Sequence, residues 1–195
     1  MERNKIPTAT NVHHVGVTVP DLDEAVGFFV ECVGAELLYR KGPFGDPGGD
    51  SMERRLGVHP DATASLAMLR CGPTTNLELF EWDAPDQRED VSPISDVGAT
   101  HIGIQVGDIE TATDALAEHE DVKLLDGPHT NEDGPTEGLT YVFCRTPWGM
   151  FLELVETPDY AMPYADDADG YLYGPAPSWE YRPENEEEGK RENER

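Results

Sequence analysis

An internal duplication constrains the architecture of this chain more than any other feature of its sequence. The segment 13–25, HHVGVTVPDLDEA, matches the segment 100–112, THIGIQVGDIETA, and NLELFEW at 76–82 matches FLELVET at 151–157. In this alignment His14 corresponds to His101, and Glu78 corresponds to Glu153. Because a repeated sequence predicts a repeated supersecondary unit, we expect two copies of one structural module.

The spacing within the two copies predicts where they differ. His14 and Glu78 are 64 residues apart (78 − 14), whereas His101 and Glu153 are 52 apart (153 − 101). The first copy therefore carries about 12 additional residues. The stretch GPFGDPGGD at 42–50 is typical of a loop, so we place an insertion at about 42–58.

Each module is predicted to have the element order βαβββ. Alternating apolar residues predict the strands, and Asp21 and Asp108 stand where the N-caps of the two helices belong. The predicted class is α+β, with modules at 10–83 and 98–157. The expected elements are strands at 12–19, 35–41, 63–70 and 76–82 with a helix at 22–32, then strands at 100–107, 122–126, 139–145 and 150–156 with a helix at 110–119.

The residues after the second module form a different kind of segment. Residues 158–182 are rich in Tyr and Pro, which predicts an extended arm that packs on its own module or on a second subunit, so a homodimer is a possible assembly. Residues 183–195 are charged and have no apolar side chains, so we expect this acidic tail to be disordered.

The charge of the chain limits its partners. There are 40 acidic against 14 basic residues, a formal net charge of −26. Nucleic acids and anionic membrane surfaces are therefore unsuitable partners. We interpret the acidic surface as a halophilic adaptation to concentrated salt, with an acidic partner-binding surface as the alternative.

Cysteine usage and hydropathy predict a cytoplasmic protein. The three cysteines are odd in number and form no CxxC pair, which indicates a reducing compartment. The first residues lack the apolar run of a signal peptide, and no stretch reaches the roughly 20 apolar residues of a membrane span.

The repeated His and Glu residues predict a metal site. Glu78 and Glu153 alternate with leucines in apolar strands, and a buried carboxylate is costly unless it is neutralised. One divalent ion would neutralise both glutamates, and the repeat supplies a ligand set of His14, Glu78, His101 and Glu153. In the alternative orientation these glutamates face solvent and Glu81 and Glu156 point inward. His13 is the rival of His14, but it aligns with Thr100.

Several other polar and aromatic residues are not assigned to the site. His59, His119 and His129 fall in predicted loops or at a helix end and receive no role, although His129 lies in a long loop that could border a site. Aromatic side chains in the strands could line a cavity but are more typical of a core, so we leave them out of the predicted site: Phe80, Trp82, Tyr141 and Phe143.

These motifs resemble the vicinal oxygen chelate superfamily over residues 10–157. That superfamily includes glyoxalase I, methylmalonyl-CoA epimerase, extradiol dioxygenases and bleomycin-resistance proteins. The resemblance implies two half-barrel modules that pair into a curved mixed sheet around a central metal, with ligands at the four positions above. The sequence departs from the common pattern at the turn TPWG, 146–149, and has few cations to anchor glutathione or coenzyme A.

The resemblance implies a metal-dependent, glyoxalase-like lyase or isomerase. It would act through an enediolate on a small substrate with vicinal oxygens, with Glu78, Glu153 or a hydroxide on the ion as the base. The ion would be Zn, Ni, Co, Mn or Fe(II).

Two alternatives remain from other functional classes. The first is an Fe(II) extradiol-type dioxygenase that uses His14, His101 and Glu153 as a facial triad. The second is a non-catalytic binding protein of the bleomycin-resistance type. The carboxylate at Glu78 favours the four-ligand enzyme, because neither alternative requires it.

Overall fold

The computed structural model describes residues 6, 8, 12–166 and 172, and the chain divides into two compact units between Gln87 and Arg88. Each unit combines one mixed sheet with helices, which confirms the predicted α+β class. The predictions for the arm at 158–182 fall partly outside the described residues, and those for 183–195 fall wholly outside them. No helix of the described residues is long and apolar enough to cross a membrane.

The first unit contains a four-stranded sheet in the order β1-β4-β3-β2. Strands β1 and β4 are parallel, and the other neighbours are antiparallel. The strands are β1 (Val15–Thr18), β2 (Glu36–Gly45), β3 (Thr63–Cys71) and β4 (Thr75–Asp83), and the helices are α1 (Leu22–Glu31) and α2 (Ser51–Leu56). Helix α1 buries Phe29 completely, and β3 and β4 bury Leu69 and Leu79.

The second unit repeats this arrangement. Its sheet has the order β5-β9-β8-β6, with β7 also paired to β8, and β5 is parallel to β9. The strands are β5 (His101–Gln105), β6 (Lys123–Leu124), β7 (His129–Thr130), β8 (Thr140–Arg145) and β9 (Phe151–Glu156), with one helix, α3 (Ile109–Ala117). A short 3₁₀ turn follows at Pro163–Asp166, where the Tyr164 amide donates to the carbonyl of Pro135 at 2.9 Å.

The second strand of each unit differs from the sequence prediction. In the first unit β2 continues to Gly45, so the prediction of a loop from residue 42 is wrong. Strand β2 is an edge strand, and its register shifts between Lys41 and Phe44, so Pro43 can lie where the ladder requires no amide donor. The predicted insertion also contains helix α2.

In the second unit the strand predicted at 122–126 is wrong in length. Only Lys123–Leu124 pairs regularly with β8, and a separate strand, β7, begins at His129. The sequence Gly127-Pro128 separates the two strands. Proline has no amide hydrogen to donate, so a continuous ladder at this point is disfavoured.

The two long helices begin in the same way, as predicted. The side chain of Asp21 accepts a hydrogen bond from the Glu24 amide at 2.8 Å, and Asp108 accepts one from the Thr111 amide at 2.8 Å. Both N-caps satisfy an amide that has no partner within its helix. Each cap fixes the helix start directly after the first strand of its unit.

Candidate active site

Each unit brings one predicted histidine and one predicted glutamate together. His14 Nε2 lies 3.1 Å from Glu78 Oε2, and His101 Nε2 lies 3.2 Å from Glu153 Oε2. The side-chain exposures also match, at 37% and 17% in the first pair and 40% and 20% in the second. The duplication in the sequence is therefore a duplication of one His–Glu geometry.

The parallel pairing of the first and last strands of each unit positions these side chains. Gly16 lies opposite Glu78 in the pairing of β1 with β4, and Gly103 lies opposite Glu153 in the pairing of β5 with β9. A Cβ atom at Gly103 would lie 3.8 Å from Glu153 Oε2. Any longer side chain there would extend over the carboxylate, so glycine leaves this side of the glutamate open.

The neighbouring glutamates Glu81 and Glu156 face the helices. Glu81 Oε2 accepts a hydrogen bond from the Leu22 amide at 2.8 Å, and Glu156 Oε2 accepts one from the Ile109 amide at 2.7 Å. Carboxylates are favoured at helix N-termini, where free amides and the helix dipole attract negative charge. The alternative orientation, with Glu81 and Glu156 in the site, is therefore wrong.

His13, the rival of His14 in the sequence, contacts the other nitrogen of the His14 ring. The two Nδ1 atoms are 2.7 Å apart, so one ring donates and the other accepts. Asn76 donates to the carbonyl of His13 at 2.9 Å. The second unit has Thr100 at this position, and its hydroxyl lies 3.5 Å from the carbonyl oxygen of His101. The two histidines of the pairs therefore have different supporting residues.

Aromatic side chains lie on the same sheet faces as the paired glutamates. The centroid of the Phe143 ring lies 5.5 Å from that of His101 and 5.9 Å from that of Tyr141. Phe80 stacks on Trp82 with 5.4 Å between the ring centroids. All four aromatic residues are partly exposed. The predicted site does not include them, although Phe80 and Trp82 are two and four residues from Glu78. Even spacing on a strand is the signal that places them on its face.

The geometry of each pair fits two ligands of one ion. Two atoms that each lie about 2.1 Å from an ion, at right angles, are about 3.0 Å apart. The observed separations of 3.1 Å and 3.2 Å are those of a direct His–Glu hydrogen bond and also match this spacing, and imidazole with carboxylate is a common ligand combination. Among the residues that the structure describes, no three or more His, Cys, Asp or Glu side chains are grouped so that they could hold a metal ion. Each pair by itself offers two side chains that could bind a metal ion.

Comparisons with known proteins agree with this fold. The chain is 49% identical over 174 residues to "2-epi-5-epi-valiolone epimerase" from Actinomyces sp, which covers 89% of this chain and 93% of that protein. It resembles the structure of a glyoxalase family protein from Bacillus cereus with a TM-score of 0.57 and 22% identity, over 80% of this chain and 97% of that one. It also resembles glyoxalase I from Zea mays, with a TM-score of 0.54 and 22% identity, over 76% of this chain and 45% of that one.

The extent of these similarities defines the class of the protein. The close relation to an epimerase, over most of both chains, identifies an enzyme of the isomerase type. A family model matches residues 11–154, which contain both His–Glu pairs. The resemblance seen in the motifs is confirmed: the chain belongs to the Glyoxalase/Bleomycin resistance protein/Dioxygenase superfamily.

Proposed function

We propose that this enzyme is a metal-dependent epimerase that inverts a carbon beside the carbonyl of a small ketone, where that carbon carries a hydroxyl. The duplicated His–Glu pair is the observation that carries this proposal, because it offers two equivalent carboxylates and two imidazoles. The similarity to a protein named as an epimerase of a compound whose name denotes a ketone supports the same reaction class.

The proposed ligands of the ion are His14, Glu78, His101 and Glu153. Two ligands are too few for a protein metal site, and four leave about two of six octahedral positions for substrate oxygens. Two carboxylates also balance the charge of a divalent ion. Zn, Ni, Co, Mn and Fe(II) all accept this ligand set. When bound, such an ion would act as a Lewis acid that polarises the carbonyl and acidifies the neighbouring C–H bond.

Epimerisation requires that a proton leave one face of the carbon and that a proton return to the opposite face. We assign these two transfers to Glu78 and Glu153, one as the acceptor and the other as the donor. Each carboxylate lies close to its histidine, and Gly103 leaves one side of Glu153 open. The C–H electron pair passes into the enediolate and returns when the new C–H bond forms, so the reaction needs no oxidant or reductant.

The dioxygenase alternative is less well supported. A facial triad of His14, His101 and Glu153 gives Glu78 no role as a ligand, yet Glu78 pairs with His14 at nearly the separation seen in the second unit. Oxygen consumption with a catechol and ferrous iron would be the sign of that activity. We expect none.

The proposed function is tested with 2-epi-5-epi-valiolone, the compound in the name of the Actinomyces relative. The protein is loaded with each of the five metals and incubated with the compound in D₂O. We expect an epimer that carries one deuterium at the inverted carbon, as observed by NMR and mass spectrometry, and no reaction after chelation. The absence of both an epimer and deuterium exchange with every metal would contradict the proposal.

A further inference from the structure

Two polar side chains, His129 and Tyr141, lie on the same face of the second sheet as the His101–Glu153 pair. Tyr141 and Phe143 are two residues apart on β8 and therefore share a face of the strand. Phe143 lies opposite Glu153 in the pairing with β9. His129, on β7, lies opposite Tyr141. The three rings lie side by side on this face. Their centroids are 6.2 Å apart for His129 and Tyr141 and 5.9 Å apart for Tyr141 and Phe143. His129 and Tyr141 therefore belong to the surface that carries the proposed catalytic glutamate.

The His129 ring has a hydrogen-bonding partner in Asp126. His129 Nε2 lies 3.1 Å from Asp126 Oδ2, and the Gly127 amide donates to Asp126 Oδ1 at 2.9 Å. The Gly127 amide and then the His129 hydrogen bond hold the pKa of Asp126 below its usual value. Because an ionised carboxylate only accepts hydrogen bonds, the Nε2 atom of His129 carries a proton, and Nδ1 points elsewhere.

Two hydrogen-bonding atoms remain free in this group. Within the part of the chain that the structure describes, no residue forms a hydrogen bond with His129 Nδ1 or with the hydroxyl of Tyr141. An exposed Asp–His pair three residues apart is usually a solvated surface pair of little consequence. This pair differs because its imidazole lies next to Tyr141. The Tyr141 ring contacts Phe143, and Phe143 in turn contacts His101 of the His101–Glu153 pair.

We propose that Asp126, His129 and Tyr141 form a subsite that binds hydroxyl groups of the substrate remote from the reacting carbon. Tyr141 Oη and His129 Nδ1 would contact the hydroxyls, and Asp126 positions the imidazole. This assignment rests on the proposed function. Tyr141 lies opposite Val155, which is two residues, or about 7 Å, along β9 from Glu153. His129 lies on β7, two strand spacings or about 10 Å from β9. Because the side chains of Glu153, Tyr141 and His129 project from the same face, we expect the distance between their polar atoms to suit a small polyhydroxylated ketone.

The first unit has other residues at the equivalent positions, with Lys41 opposite Leu66 where the second unit has His129 opposite Tyr141. Leu66 occupies the position of Tyr141, because it pairs with Phe80 as Tyr141 pairs with Val155. Leu66 is buried, and neither Leu66 nor Phe80 has a polar group in its side chain. The hydroxyl of Tyr141 therefore has no counterpart at the equivalent position of the first unit, and a lysine stands there in place of the Asp126-bound histidine.

The experiment compares a polyhydroxylated ketone with a small one. kcat and KM for 2-epi-5-epi-valiolone are measured with wild type, His129→Gln, Tyr141→Phe and Asp126→Ala, and with His119→Gln as a control at an exposed histidine outside the group. We expect His129→Gln and Tyr141→Phe each to raise KM about tenfold, the effect of one lost hydrogen bond, with kcat within about twofold. Asp126→Ala should add nothing in the His129→Gln background, because it acts through that ring.

Hydroxyacetone provides the second comparison, since it has the reacting groups but no remote hydroxyls. Deuterium exchange of its α protons should proceed equally in wild type and all four variants. An unchanged KM for the larger ketone in His129→Gln and Tyr141→Phe would overturn the subsite and leave the epimerase intact. An equal loss with both ketones would also overturn it, because the residues would then support the site as a whole.

Calorimetric binding of 2-epi-5-epi-valiolone separates the two proposals if wild type does not turn the compound over. Binding that weakens about tenfold in His129→Gln, but not in His119→Gln, would retain the subsite and reject the epimerase on this substrate. The absence of binding to the metal-loaded wild type would overturn both proposals.

Discussion

The two units hold the same His–Glu pair in different surroundings. In the first unit Met68 lies opposite Glu78 and a Phe80–Trp82 stack continues the face. In the second unit Phe143 lies opposite Glu153, and the face continues to Tyr141 and the Asp126–His129 pair. Both faces carry aromatic residues, but the first has Leu66 with Lys41 opposite it where the second has Tyr141 with His129 opposite it.

This difference separates what the duplication preserves from what it changes. Both units preserve the paired side chains, the glycine opposite the glutamate, the Asp N-cap and the glutamate that binds the helix N-terminus. They differ in the side chains that surround the pair on the glutamate face. We infer that the preserved features serve the fold and the ion, whereas the altered ones serve the substrate.

Replacement of the paired glutamates should have the largest effect. We expect Glu78→Gln and Glu153→Gln each to lower turnover about 10²–10⁴-fold, because each removes a proposed proton carrier and a charged ligand. Circular dichroism should show unchanged secondary structure. Full turnover in one of the two variants would break the proposed equivalence of the units.

Truncation of matched core leucines tests whether the units are equally well packed. Leu79 and Leu154 occupy equivalent positions and are 0% and 4% exposed. We expect Leu79→Ala and Leu154→Ala each to reduce the free energy of unfolding by about 2–5 kcal/mol in urea titrations. A loss below about 1 kcal/mol at either position would show that one unit contributes little to the packed core.

The residues next to His14 and His101 should contribute differently to metal binding. His13→Ala should weaken metal binding about tenfold, because it removes the residue that holds His14 Nδ1. Thr100→Ala should leave the dissociation constant unchanged, since the Thr100 hydroxyl approaches a carbonyl oxygen rather than the ring. Competition with a chromophoric chelator measures both constants. Equal losses in the two variants would remove this asymmetry.

The smallest expected effect concerns the N-cap of α3. The Thr111 amide lowers the pKa of Asp108 in the folded protein, so the charge stabilises the fold above the unfolded value of about 3.9. This contribution is lost as the pH falls through the folded pKa. Asp108→Asn, which keeps a capping oxygen, should be less stable than wild type at neutral pH and should approach it in acid. A stability difference that is independent of pH would contradict this role of the charge.

The repeat made the core of the site predictable. The sequence aligned His14 with His101 and Glu78 with Glu153, and strand alternation was enough to put each glutamate on one face. Alternation alone does not say which face a helix covers, so the contacts of Glu81 and Glu156 with the helix N-termini were not foreseen.

Features that depend on pairing between distant strands were also missed. The continuation of β2 past Gly42 depends on its edge position and on a register shift against β3, neither of which the loop-like composition reveals. His129 could be placed only in a long loop, because its position opposite Tyr141 requires the two-residue pairing of β7 with β8.

The metal content of the chain tests the central claim, that both pairs serve one ion. Elemental analysis is performed on wild type, His14→Ala and His101→Ala after loading with each candidate metal and dialysis. The account predicts about one ion per chain in wild type and its loss from both variants. Two ions per chain, with each variant losing only one of them, would show two independent sites and contradict the shared ion.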